Sequence, residues 1–124
     1  MEVGELTAGP PAGCDPKTTI AEAAAVMDDL DIGSLAVYRG SDLIGIVTER
    51  DIVRAVATDV SVDDAVETVM TPDPDTVEAD VEVVDAAAWL LAVGYRHLPV
   101  TDDGKLVGLI SMKDLLDVLA RDAL

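Results

Sequence analysis

The chain repeats itself at a constant offset of 63 residues, and this internal symmetry limits its possible folds more than any other feature. Gly45–Asp51 aligns without a gap on Gly108–Asp114, and the correspondence reaches back to Val3 on Val66. A period of this length is typical of one structural unit occurring twice. We therefore predict two repeats within the 124 residues, covering residues 1–61 and 64–124.

Each repeat shows the same order of local patterns. The first begins with a short extended segment at Gly13–Asp15, followed by a helix at Thr19–Asp31, where apolar residues recur at helical spacing. A hairpin of Leu35–Tyr38 and Leu43–Val47 surrounds a turn-forming Arg-Gly-Ser-Asp, and a helix at Glu49–Thr58 ends the repeat. The second repeat has the corresponding elements Thr76–Glu78, Val81–Val93, Leu98–Thr101, Leu106–Ile110 and Met112–Ala123.

The predicted fold class is thus α/β (α+β), with two tandem β-α-β-β-α repeats. One repeat of about 60 residues is only marginally stable alone, because so small a domain buries little surface. We therefore expect the repeats to pack through their sheets with pseudo-two-fold symmetry. The predicted core faces of the leading helices are Ile20, Ala23, Ala24, Met27 and Leu30 in the first, and Val83, Ala86, Ala87, Leu90 and Leu91 in the second. Trp89 and the alanine-rich faces are interpreted as packing or dimer contacts, and base stacking by Trp89 is an alternative.

The charge of the chain is extreme, with 25 acidic against 8 basic residues and a formal net charge of −17. Such a surface repels nucleic acid and anionic membranes, so neither is an expected partner. Two explanations of the acidity stay open. One is a well-solvated surface, and the other is adaptation to the salt-rich cytoplasm of a halophile, where screening weakens self-repulsion.

Several functional classes lack their characteristic sequence features. No secretory signal is seen, and the apolar stretch Val81–Gly94 is too short for a membrane span, so a cytoplasmic location is predicted. There is no phosphate-binding Gly-rich motif, no nucleophile with a recognisable base and no metal-ligand spacing. We predict a non-enzyme without metal or cofactor. The single cysteine, Cys14, is interpreted as a packed thiol on a buried strand.

The doubled β-α-β-β-α order, with Gly-apolar-apolar-Thr/Ser-x-x-Asp at each last strand-to-helix junction, resembles a CBS domain pair, also called a Bateman module. Val-Met-Thr-Pro ending at Pro72 and Tyr-Arg-His-Leu-Pro-Val ending at Val100 support the resemblance. The first repeat carries degraded equivalents, which end at Gly9 and Val37. The resemblance covers nearly the whole chain and is to the stand-alone CBS-pair proteins of archaea and bacteria. It implies that the protein is a homodimer.

The motifs Thr48–Asp51 and Ser111–Asp114, which align at the 63-residue offset, contain the candidate ligand-binding side chains. An ionised carboxylate can accept hydrogen bonds from two adjacent ribose hydroxyls, and a nearby Thr or Ser hydroxyl can add another. Arg50 and Lys113 could reach a phosphate. The same Ser/Thr-x-x-acidic pattern also predicts a helix-capping box, and the two roles are compatible, because helix starts favour anions.

The resemblance implies two binding sets, each in a cleft between the repeats. The Asp51 set consists of Thr48, Arg50, Asp51, Thr76, Val77, Arg96 and His97. The Asp114 set consists of Ser111, Lys113, Asp114, Gly13 and Cys14. The Asp51 set ranks higher, because the other has Gly33 and Ser34 where Arg96 and His97 stand. His97, the single histidine, is either a phosphate contact or a structural side chain.

Two functions remain open at this stage. The first is a regulatory module that binds AMP, ADP, ATP or S-adenosylmethionine and signals to an unknown regulated protein through a shift in its conformational population. The second is a ligand-free dimerisation and interaction scaffold, in which the motifs act only as helix caps.

Overall fold

The computed structural model describes residues 1–123 and has a mixed α+β architecture with two sheets and four helices. The described residues form two compact units. Residues 12–74 make up the first unit, and residues 1–11 together with those from Asp75 onward make up the second.

The first unit contains a four-stranded sheet in the order β1-β2-β3-β4. Strand β1 is parallel to β2, and the β2–β3 and β3–β4 pairs are antiparallel. Its elements are β1 (Gly13–Cys14), α1 (Ile20–Leu30), β2 (Ser34–Arg39), β3 (Asp42–Thr48), α2 (Glu49–Ala57), a 3-10 turn (Val66–Thr68) and β4 (Thr71–Pro72).

The second unit contains a three-stranded sheet in the order β5-β6-β7, again with a parallel first pair and an antiparallel hairpin. Its elements are a 3-10 turn (Val3–Leu6), β5 (Val77–Glu78), α3 (Val83–Val93), β6 (His97–Asp102), β7 (Lys105–Ser111) and α4 (Met112–Ala123). Both predicted hairpins are present, and the predicted β-α-β-β-α order is confirmed in each repeat.

Each unit completes its core with a segment from the other repeat. Val3, at the start of the first repeat, is fully buried in the second unit, where its N–H donates to the Val81 carbonyl at 2.8 Å. Val66, its counterpart 63 residues later, is fully buried in the first unit and donates to the Thr18 carbonyl at 2.8 Å. Burial of these two side chains therefore depends on residues far away in the sequence.

Gly45 and Gly108 are the first residues of the two aligned motifs. Both leave room for the segment that the other repeat contributes to the core. A Cβ on Gly45 would lie 2.5 Å from the Met70 sulfur, and a Cβ on Gly108 would lie 2.3 Å from Thr7 Cγ2. Met70 and Thr7 are themselves equivalent at the 63-residue offset. Glycine is thus required in β3 and β7, the second strand of each hairpin, where the segment from the other repeat approaches closely.

The structure corrects several predictions of detail. Leu30 and Leu91, expected in the core, are 52% and 72% exposed. Leu30 lies beyond Met27, the last buried residue of α1, and Leu91 lies about 100° around α3 from the buried Leu90. Helix α3 begins at Val83 instead of Val81, since Glu82 has the extended backbone of an N-cap. Cys14 is half-buried on a two-residue strand and not fully buried. Among residues 1–123, no helix is long and apolar enough to cross a membrane.

Candidate functional site

The start of α2 places the first candidate motif. Thr48 is the N-cap, and its hydroxyl accepts a hydrogen bond from the Asp51 N–H at 3.2 Å. In return, Asp51 Oδ2 accepts from the Thr48 N–H at 2.9 Å. This reciprocal pair is a complete capping box, and it holds the half-buried Asp51 carboxylate at the amino end of the helix.

The same motif is tied to the beginning of β2. The Glu49 N–H donates to the Gly33 carbonyl at 3.0 Å, and Ser34 pairs with Thr48 across the β2–β3 ladder. Ser34 is 8% exposed and is the buried polar side chain of this region. Arg50 is exposed beside the motif and takes part in no ion pair within residues 1–123.

The second unit repeats this geometry at the start of α4. The Asp114 N–H donates to Ser111 Oγ at 3.1 Å, and the Ser111 N–H donates to Asp114 Oδ2 at 2.9 Å. The Met112 N–H donates to the Arg96 carbonyl at 2.8 Å, and His97 pairs with Ser111 across the β6–β7 ladder. Arg96 and His97 are therefore brought to the Ser111–Asp114 motif of their own repeat.

Lys113 differs from Arg50 in its electrostatic surroundings. Its ammonium forms an ion pair with Asp117 at 3.2 Å, one helical turn further along α4. The pair is exposed, so it contributes little to stability. Its cation is nevertheless the ammonium group that was predicted to contact a phosphate. Sequence analysis missed Asp117, although the four-residue spacing from Lys113 is the pattern that predicts such a pair.

The remaining candidates lie on the short parallel strands or beside them. Gly13 pairs with Ala36, and a Cβ at Gly13 would lie 2.2 Å from the Tyr38 ring, so a side chain there would displace that ring. Burial raises the pKa of the neighbouring Cys14 thiol, against a smaller opposing effect of its hydrogen bond with Thr18. A raised pKa keeps this thiol protonated at neutral pH, so it is a poor nucleophile.

Thr76 and Val77 occupy the corresponding positions in the second unit. Thr76 is exposed just before β5, and Val77 is half-buried opposite Val100. Each predicted binding set combines residues of both units. The first unit carries Gly13, Cys14, Thr48, Arg50 and Asp51, and the second carries Thr76, Val77, Arg96, His97, Ser111, Lys113 and Asp114.

The two helix starts share a chemical capability. In each capping box the carboxylate uses Oδ2 for the backbone, which leaves Oδ1 able to accept a hydroxyl hydrogen bond. The positive end of a helix dipole also favours an anion at this place. No group of three or more His, Cys, Asp or Glu side chains suited to a metal ion occurs in the described part of the chain.

Two β-α-β-β-α units, each with a capped carboxylate at the start of its last helix, define the class of tandem CBS-domain proteins. The sequence profile of the CBS domain matches residues 3–58 and again residues 66–121. The chain belongs to the CBS domain family and carries two copies of that domain.

Known proteins support this assignment. A 17.7 kDa protein of Acidianus ambivalens is 45% identical over 106 residues, which make up 84% of this chain and 64% of that protein. The chain thus spans slightly less than two thirds of this relative's length.

Two solved structures are similar over almost the whole chain. CBS domain protein PAE2072 from Pyrobaculum aerophilum, complexed with AMP, has a TM-score of 0.83 at 29% identity, covering 98% of this chain and 99% of that one. The CBS domain pair of protein MJ0100, in complex with 5′-methylthioadenosine and S-adenosyl-L-methionine, has a TM-score of 0.88 at 25% identity, covering 98% of each chain.

Proposed function

We propose that this protein is a regulatory module that binds an adenosine compound and is not an enzyme. The observation that carries the proposal is that structures similar over 98% of this chain contain AMP, or 5′-methylthioadenosine and S-adenosyl-L-methionine. All of these ligands present a ribose attached to adenine, so the ribose and the base are the shared features to be recognised.

In the Asp51 set, the Asp51 carboxylate accepts the ribose hydroxyls through Oδ1, and the Thr48 hydroxyl assists. Arg50, Arg96 and His97 serve the phosphate, while Thr76 and Val77 contact the base. Scarcity of cations supports a role for Arg50, because only eight Lys and Arg offset 25 acidic residues, yet Arg50 lies within the Thr48–Asp51 motif. A cation there relieves the repulsion that a chain of net charge −17 exerts on an anionic ligand.

The Asp114 set offers a second, weaker site, in which Asp114 and Ser111 hold the ribose and Gly13 and Cys14 contact the base. Lys113 is paired with Asp117. We expect phosphorylated ligands to favour the Asp51 set for this reason, and uncharged or cationic adenosine compounds to be tolerated better by the Asp114 set.

Ligand binding regulates only if it favours one arrangement of the module over another. We propose that such a shift is transmitted to a partner protein, and that the functional form is a homodimer. A cytoplasmic location fits this role. Residues 1–61 and 64–124 would then act together as one module.

A ligand-free scaffold is the second candidate, and a specific observation favours it. Both capping boxes are complete, with all four reciprocal bonds at 2.9–3.2 Å, so the two motifs already have a structural role without any ligand. In this case, ligand addition would leave the thermal stability unchanged.

The test is Asp51→Ala, measured by calorimetry and by thermal shift with AMP, ADP, ATP and S-adenosylmethionine in 2 M KCl. Loss of a charged hydrogen-bond acceptor weakens binding by about 1.5–3 kcal/mol, which is roughly a ten- to hundredfold loss of affinity. The wild type should gain thermal stability with ligand, and the variant should gain much less.

The chain supplies a matched control in Glu22→Ala. Glu22 forms a capping box with Thr19 at the start of α1, with bonds of 3.1 and 3.2 Å, outside both binding sets. This control should lose stability and keep its affinity, which separates capping from binding. If the wild type shows neither heat nor thermal shift with any of the four ligands, the scaffold function replaces the sensor function.

A further inference from the structure

The residue one helical turn after each capping motif has opposite charge in the two repeats. Arg54 follows Thr48–Asp51 on α2, and Asp117 follows Ser111–Asp114 on α4, at the same offset of 63 residues. We call this place the post-motif position. Both side chains are exposed and neither belongs to a core, so packing does not dictate a charge there.

The post-motif position lies beside the candidate ligand-binding side chains on the helix surface. It comes three residues after the capping carboxylate and four residues after the motif cation, which is Arg50 in α2 and Lys113 in α4. These are the two spacings at which helical side chains are neighbours. Helical side chains also lean toward the amino end of their helix, so a charge at this position acts on the motif that precedes it.

In α4 the negative residue neutralises the motif cation. Lys113 Nζ lies 3.2 Å from Asp117 Oδ2, and Asp117 also lies three residues after the Asp114 carboxylate. One cation against two carboxylates gives residues 111–117 a formal charge of −1. A phosphate at this helix start therefore meets a carboxylate that competes with it for the ammonium group.

In α2 the positive residue adds a second cation. Arg50 and Arg54 are four residues apart, and neither belongs to an ion pair within residues 1–123. Glu49 and Asp51 offset them, so residues 48–54 are formally neutral. Two like charges one turn apart repel each other, and a bound anion relieves that repulsion. A phosphate is therefore accommodated better at α2 than at α4.

We propose that the post-motif residue selects, by its charge, the adenosine compound that each binding set accepts. Arg54 makes the Asp51 set favour phosphorylated compounds such as AMP. Asp117 makes the Asp114 set favour compounds without a phosphate, such as 5′-methylthioadenosine. Both are positioning residues, because they act through the motif cation. The inference rests on the proposed function and assigns a ligand class to each set.

The first test is Asp117→Arg on an Asp51→Ala background, so that calorimetry measures binding at the Asp114 set. In 0.5 M KCl the affinity for AMP should rise roughly tenfold, while the affinity for 5′-methylthioadenosine changes by less than about twofold. Asp117→Asn, which only frees Lys113, should give a gain of roughly threefold for AMP, and Asp117→Glu, which keeps the charge, should give none. The gains should shrink in 2 M KCl, because salt screens exposed charges.

The reciprocal test is Arg54→Asp on an Asp114→Ala background. It should lower the affinity of the Asp51 set for AMP roughly tenfold and leave the affinity for 5′-methylthioadenosine within about twofold. The matched control is Asp122→Arg, which changes the net charge as Asp117→Arg does, at an exposed residue of α4 about 12 Å along the helix from Asp114. This control should leave the affinity for AMP within about twofold.

The outcomes separate the inference from the function on which it rests. If either swap leaves the affinity for AMP unchanged, or changes it together with the affinity for 5′-methylthioadenosine, the inference is overturned and the proposed function remains. An equal gain with Asp122→Arg would also overturn it, since net charge alone would then explain the effect. If neither compound binds the wild type, the proposed function fails and the inference fails with it.

Discussion

Asp31 ends helix α1 in a left-handed backbone conformation, with φ of 53°, which side chains other than glycine adopt at a cost. Its equivalent at the end of α3 is Gly94, with φ of 79°. Asp31 also follows Asp28 and Asp29, so three carboxylates lie at the negative end of the helix dipole. At this position both the left-handed backbone and the negative charge are unfavourable for an aspartate.

Asp31→Gly should therefore stabilise the protein by about 0.5–1 kcal/mol, through relief of both the strain and the unfavourable charge. In a melting experiment this is an increase of roughly 2–5 °C. Asp31→Asn, which removes only the charge, should give about half the gain, and Gly94→Asp should lower the melting temperature. An unchanged or lower melting temperature for Asp31→Gly would show that neither cost is present.

At the scale of elements, each 3-10 turn packs into the core of the unit that is built mainly from the other repeat. The turn Val3–Leu6 packs on the second unit, where the Gly4 N–H donates to the Ala79 carbonyl at 2.9 Å. The turn Val66–Thr68 packs on the first unit. Because each repeat supplies part of the other's core, damage to one turn should weaken the opposite repeat.

Val3→Ala and Val66→Ala should each cost about 1.5–3 kcal/mol, from lost burial and the cavity that remains. Hydrogen exchange should locate the effects. Val3→Ala should lower amide protection in β6 and α3, and Val66→Ala in β2 and α1. Val62→Ala, at a 42% exposed position, is the control and should change stability by less than about 0.5 kcal/mol. Loss of amide protection in β2 after Val3→Ala would contradict the placement of Val3 in the core of the second unit.

At the scale of the whole molecule, repulsion among carboxylates opposes folding. The net charge of −17 is carried by 124 residues, and only three ion pairs, one of them at the amino terminus, are found within residues 1–123. The Debye length falls from about 10 Å at 0.1 M salt to about 3 Å at 1 M. We propose that the protein is adapted to a salt-rich environment, in which this repulsion is screened.

The melting temperature should accordingly rise between 0.1 and 2 M KCl at a fixed protein concentration. The double variant Asp28→Asn/Asp29→Asn should melt higher than the wild type at 0.1 M and should gain less from added salt, because part of the repulsion is already removed. This comparison separates screening from a general effect of salt on apolar burial. Equal melting temperatures at both salt concentrations would refute the repulsion argument.

The sequence alone determined the repeat, the order of the elements, the two hairpins and the capping motifs at Thr48–Asp51 and Ser111–Asp114. These features depend on local periodicity and short-range hydrogen bonds, which a single stretch of chain encodes. The acidic surface was equally evident, because charge is additive along the sequence. The roles of the candidate residues in ligand binding stay predictions.

Only the tertiary structure decided that Val3 completes the core of the second unit, that Val66 completes the core of the first, and that Leu91 is exposed. Val3 and Val81 are far apart in the sequence, and no local pattern specifies a contact of that separation. The apolar pattern of α3 continues around the helix, so periodicity could not tell its core face from its outer face. The tertiary structure determines which face of α3 is buried, because only one face packs against β6 and α4 in the core.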